Sequence, residues 1–70
     1  MINVEIKYDK EADAAYIYFK KISPGEVKET LELKENIVLD FNSERKLIGI
    51  EILSASKVVP KGIFKRKQPA

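Results

Sequence analysis

Residues 47–53 read LIGIEIL: five aliphatic residues, one glycine and, between two isoleucines, a carboxylate, Glu51. An ionised carboxylate buried without a partner costs several kcal/mol or more, so the stretch is not an ordinary core segment. Read as a β-strand the conflict disappears, because successive side chains point to opposite faces. Ile48, Ile50 and Ile52 then share one face, and Leu47, Gly49, Glu51 and Leu53 share the other. The apolar run before it, NIVLDF at 36–41, repeats the arrangement with Asp40. Its Ile37, Leu39 and Phe41 match the isoleucines, which leaves Val38 and Asp40 on the face of Glu51. NSERK at 42–46 is the turn between the two strands.

Working outward, INVEIKY at 2–8 alternates strictly, with Ile2, Val4, Ile6 and Tyr8 against Asn3, Glu5 and Lys7. That is a half-buried strand. DKEAD at 9–13 is a polar, Asp-rich connection. AAYIYFK at 14–20 places Ala15, Ile17 and Phe19 on one side and Tyr16 and Tyr18 on the other. Its β-branched and aromatic residues favour a strand, although EADAA also permits a helix from Lys10 to Lys21. KISPGE at 21–26 is a loop punctuated by Pro24-Gly25. VKETLEL at 27–33 alternates with charges on its exposed side and Glu29 within its apolar side, as an edge strand does. SASKVVP at 54–60 reads as one helical turn, with Ser54 as N-cap and Pro60 as the stop. The expected fold is therefore mainly β: an antiparallel meander of four to five strands with a short C-terminal helical turn. Residues 1–59 form one small domain, and 60–70 read as a basic, flexible tail.

Composition narrows the chemistry. The chain has 70 residues, 44% hydrophobic and 34% charged, with no Cys and no His. Disulfides, the usual zinc sites and a neutral-pH imidazole base are therefore excluded. No apolar run approaches the ~20 residues of a membrane span, and no basic-then-apolar leader opens the chain. The expectation is a cytoplasmic protein with no cofactor. The net charge of +2 divides into −3 over residues 1–56 and +5 over residues 57–70. The basic segment implies weak, salt-sensitive contact with nucleic acid at most, because the body carries no basic stripe.

YDKEADAAYIYF at 8–19 and IVLDFNSERKLIGIEILSAS at 37–56 together resemble a known family of small prokaryotic proteins, domain of unknown function 2283. The resemblance rests on Tyr8, Asp9, Ala12, Asp13, Ala14, Tyr16 and Ile17 in the opening motif. In the closing motif it rests on Leu39, Asp40, Gly49, Ile50, Glu51, Ile52, Leu53, Ala55 and Ser56. The chain departs from the family pattern at Arg45, where glycine is usual, a position that asks for positive φ. The family brings no established activity. What the resemblance implies is a small binding module, or an antitoxin-like partner of a small toxin-like protein.

Three sets of residues are candidates for function. Asp9, Glu11 and Asp13 alternate in a turn and could gather a hard cation, but they lack the glycine and closing glutamate of a calcium loop. Turn formation is their plainer role, with Asp13 bonding nearby backbone N–H groups at the start of the second strand. Asp40 and Glu51 could act as a paired acid and base, yet no nucleophile or His accompanies them. Salt bridges to Lys7 or Lys46, or bonds to tyrosine hydroxyls, are the simpler expectation. The third set is the back face, a mixed apolar and acidic surface of Tyr16, Tyr18, Val38, Asp40, Leu47, Gly49, Glu51 and Leu53. One helical turn covers only one side of a sheet, so self-association as a homodimer is expected through this face. Gly49 would let two backbones approach there.

Overall fold

In the computed structural model, which describes residues 4–60, the chain forms five strands and one helical turn. The strands are β1 (Glu5–Asp9), β2 (Ala14–Tyr18), β3 (Glu29–Lys34), β4 (Ile37–Phe41) and β5 (Leu47–Leu53), followed by α1 (Ala55–Val58). All pair antiparallel in one sheet of order β1-β2-β5-β4-β3. The β-rich fold and its C-terminal turn are those expected, and residues 14–18 are strand rather than helix. The basic segment from Lys61 onward lies outside the described residues. No helix among the described residues is long and apolar enough to cross a membrane.

Strand order follows composition. β5, apolar except for Glu51, sits at the centre and is paired on both sides. β1 and β3, which carry Glu5, Lys7, Glu29, Glu32 and Lys34, take the two edges, where charge discourages pairing with other chains. The sheet is not a simple run of neighbours. Residues 19–28 carry the chain from β2 past β5 and β4 to the far edge, and β3-β4-β5 then fold back beside β2. The crossing segment is anchored at both ends, Phe19 N–H donating to the Ile48 carbonyl (3.0 Å) and Lys28 N–H to that of Phe41 (2.8 Å). Its bend is held by Gly25, whose φ of 80° suits glycine, and by Glu26, which pairs with Lys20 and accepts from Ser23 N–H. The Lys20 bond, aided by the Ser23 N–H, holds the Glu26 carboxyl below the usual range.

The register fixes what each face presents. On the front, Ile6, Ile17, Ile50, Leu39 and Leu31 stand side by side across all five strands. In the next row Tyr8, Ala15, Ile52 and Ile37 do the same. On the back, one row runs Lys7, Tyr16, Glu51, Val38, Glu32, and another Glu5, Tyr18, Gly49, Asp40, Thr30. α1 lies on the front, where Ala55 is fully buried against Ala15 and Ile52, flanked by Val58 and Val59. Ala15, Ile52, Ala55 and Ile48 are the buried apolar residues among those described. The front was expected to be a covered core. A four-residue helix covers only one end of it, and Ile6 and Leu31 at its edges are each 49% exposed.

Two predicted details change. Ser54 occupies the N-cap position, but at φ 52° its side chain makes no capping bond. Asp13 supplies the cap instead. Its carbonyl accepts from Ala55 N–H (2.8 Å) and its carboxylate from Ser56 N–H (3.0 Å). The backbone N–H groups that Asp13 accepts from are therefore those of the distant Ala55 and Ser56, not of its sequence neighbours.

Candidate functional site

The back face brings most of the predicted surface together around β5. Tyr16 projects from β2 opposite Glu51, and Tyr18 opposite Gly49. The two rings touch, with centroids 4.5 Å apart and planes at 49°. Tyr16 leans across Gly49, where an added β-carbon would fall 2.6 Å from ring atoms Cε1 and Cζ. The space over Gly49, expected to admit a second backbone, is filled by this ring. The lean carries the Tyr16 hydroxyl to Asp40 on β4, donating to Oδ2 at 2.5 Å. Thr30 on edge strand β3 donates its hydroxyl to Oδ1 at 2.9 Å. A chain of side chains therefore ties β2, β4 and β3 across the top of β5.

This geometry settles the electrostatics of the cluster. Burial, and then the Asp40 carboxylate it bonds, push the Tyr16 hydroxyl far above the ordinary tyrosine range. It stays protonated at neutral pH and serves as a donor. Asp40 is an acceptor with both oxygens engaged. Glu51 lies beside the pair, half-buried between Tyr16 and Val38, and its charge also favours the protonated phenol. The tyrosine alternative for Asp40 is the one realised. Lys7 instead approaches Glu5 (3.9 Å) and lies 5.8 Å from the Tyr18 ring centroid, a cation–π position. Leu47 and Leu53 sit at the two ends of β5, 37% exposed.

The Asp9, Glu11, Asp13 turn does not converge on one point. The Asp9 carboxylate accepts from Glu11 N–H (3.1 Å) and Ala12 N–H (3.3 Å), the turn-forming role expected of it. Asp13 takes the Tyr8 hydroxyl (2.7 Å) on Oδ1, shared with Ser56 N–H, and the Ser56 hydroxyl (2.7 Å) on Oδ2. These bonds, Ser56 foremost, hold its carboxyl below the usual range, and the Tyr8 phenol is raised in return. Among the described residues no three acidic groups gather as metal ligands. Tyr8, Asp13 and Ser56 form a clasp that sequence spacing alone does not display. Its signal was present in the two motifs, which hold Tyr8 and Asp13 at one end and Ser56 at the other.

An uncharacterised protein of Methanocaldococcus jannaschii is 39% identical over 57 residues, 81% of this chain. The match covers 46% of that relative, so the chain spans about half its length. No solved structure matches. The family model described as "Protein of unknown function (DUF2283)" matches residues 5–56, and these residues hold every strand, the Tyr16–Asp40–Thr30 chain and the Asp13–Ser56 clasp. The chain belongs to this family of proteins of unknown function.

Proposed function

We propose that the protein is a small binding or interaction module with no catalysis of its own, and that it works through a face of its sheet. The supporting observation is the row Ile6, Ile17, Ile50, Leu39, Leu31, which crosses all five strands and is half exposed at both ends. A sheet that buries one face needs a second layer against it, and one turn of helix is too small to be that layer. Contiguous apolar patches of several hundred Å² are often contact surfaces. The carboxylates give catalysis little support. Each Asp40 oxygen already accepts a hydroxyl, and the phenol it holds is a donor rather than a base. An antitoxin-like pairing with a small protein would be one form of the same reading.

The test places a photo-crosslinking side chain at position 31 and, for comparison, at position 44 in the β4–β5 turn. The protein is irradiated in an extract of its source cell. Polypeptide adducts, the protein's own chain included, are expected from position 31 and not from position 44. No adduct of any kind from position 31 would overturn the reading.

A further inference from the structure

We infer that the occupant of the front face is a second copy of this chain, the two sheets stacking face to face about a two-fold axis. This rests on the interaction reading above and names the partner. It also moves the interface to the opposite side from the tyrosines.

Coverage decides between the faces. On the back, the Tyr16 ring lies over Gly49 with Tyr18 against it, Asp40 is bonded to Tyr16 and Thr30, and the large apolar residues left exposed, Leu47 and Leu53 (37% each), stand apart at the two ends of β5. On the front, Val4 (43%), Ile6 (49%), Tyr8 (36%), Phe19 (40%) and Leu31 (49%) remain open. At roughly 150–200 Å² for a fully exposed large side chain, these five leave on the order of 400 Å². The half-buried Ile17, Ile37, Leu39, Phe41 and Ile50 bring the total near the ~600 Å² per partner at the lower end of specific interfaces.

Charge decides the partner. The strand residues that the register puts on the front are apolar except Glu29 and Lys34, which stand at opposite ends of edge strand β3, opposite Phe41 and Ile37. A nucleic acid or a charged peptide would find only these two charges, of opposite sign and both on one edge strand, to pair with there. An identical apolar face meets it without like-charge repulsion, which is what a two-fold interface requires, since each patch faces itself. The aliphatic row is shaped for it too. It runs perpendicular to the strands for the full width of the sheet, so two rows can interdigitate as the inner faces of a sandwich do, about 10 Å apart. The chain's own segment 61–70 is a poorer cover, with only Ile63 and Phe64 among its large apolar residues and four cations around them.

Sedimentation equilibrium at tens of micromolar tests the inference. The expected mass is twice the 8.0 kDa of the chain. Ile6→Lys and Leu31→Lys, at edge positions already half exposed, should return it to the single-chain mass with an unchanged circular dichroism spectrum, while Leu53→Lys on the back leaves the doubled mass. On the wild-type protein, isotope-filtered NOEs in a mixed labelled sample should connect methyl groups of Ile50 and Leu39 between chains. A single-chain mass at all concentrations would overturn self-association. So would a dimer broken by Leu53→Lys but not by Leu31→Lys, or contacts from Phe64 to Ile50 within one chain. A single-chain mass together with adducts to another protein from position 31 would remove the second copy and leave the interaction reading standing.

Discussion

Asp13 and Ser56, 43 positions apart in sequence, are joined by two hydrogen bonds, Ser56 N–H to Oδ1 at 3.0 Å and Ser56 Oγ–H to Oδ2 at 2.7 Å. With the Ala55 N–H bonded to the Asp13 carbonyl, they fasten α1 to the β1–β2 turn. A four-residue helix cannot form alone, because nucleation is unfavourable and isolated helices need about 12–15 residues. The clasp is what holds Ala55 over Ala15 and Ile52. Asp13 accepts these bonds from a left-handed backbone (φ 53°), a conformation Asp tolerates better than most residues.

Asp13→Asn should release α1 and lower the melting temperature by several degrees, with the strands' circular dichroism retained. The pH dependence has a definite sign. The folded-state pKa of Asp13 is lowered, so its stabilising contribution is complete above the unfolded value near 4 and is lost as pH falls through the lower folded value. Glu26, also lowered by its Lys20 and Ser23 bonds, acts in the same direction. Urea midpoints measured from pH 7 to pH 2.5 should fall below about pH 4 in the wild type. In Asp13→Asn the fall should be shallower. An identical profile in the two proteins would show that the clasp carries no linkage.

Gly49→Ala should be costly, because its β-carbon would collide with the Tyr16 ring and force it off Asp40. A loss of about 1–3 kcal/mol is expected from overpacking. Tyr16→Phe, which keeps the ring but removes the hydroxyl, should cost about 1 kcal/mol, below the figure for a fully buried charged bond because water reaches the pair. Combining Gly49→Ala with Tyr16→Ala removes the collision, so denaturant unfolding should find the pair less destabilising than the sum of the two single changes. Strict additivity would mean the ring does not lie over Gly49 in solution.

Arg45→Gly should stabilise the protein. Arg45 holds φ 66° in the β4–β5 turn, where its N–H donates to the Asn42 carbonyl at 2.9 Å and the Asn42 side chain accepts from Glu44 and Lys46 N–H. A left-handed conformation costs a residue with a β-carbon about 1–2 kcal/mol, and the greater freedom of glycine in the unfolded chain offsets part of that. A net gain of up to about 1 kcal/mol in thermal or urea unfolding is expected. A loss would assign the arginine side chain a role that its exposed position does not reveal.

Much of the sheet is legible in the sequence. LIGIEIL alternates, and alternation is a property of the extended backbone itself, so Glu51 could be placed on the face opposite Ile50 from local geometry alone. The same argument placed Asp40 with Glu51 and assigned VKETLEL to an edge. The positive φ of Arg45 was legible only through the family resemblance, which sets glycine at that position. The Asp40 bonds were less so. Spacing put Tyr16 and Asp40 on one face, but only the pairing of β2 and β4 to either side of β5 brings hydroxyl and carboxylate within 2.5 Å.

The amino-acid sequence by itself determined most of the strands, which side chains within them share a face, and that cysteine and histidine chemistry are absent; it left Lys10 to Lys21 open between strand and helix. These follow from backbone periodicity and composition, which need no partner across the fold. Only the tertiary structure decided the rest. The crossing segment 19–28 puts β5 rather than β3 beside β2, because the most apolar strand gains most from being paired on both sides. Asp13 caps α1 through Ser56 because the β2–β5 pairing brings Ala14 opposite Leu53 and so carries the start of β2 to the end of β5. Which face is left open was decided last, by reach: α1 is one turn long and the aliphatic row is five strands wide.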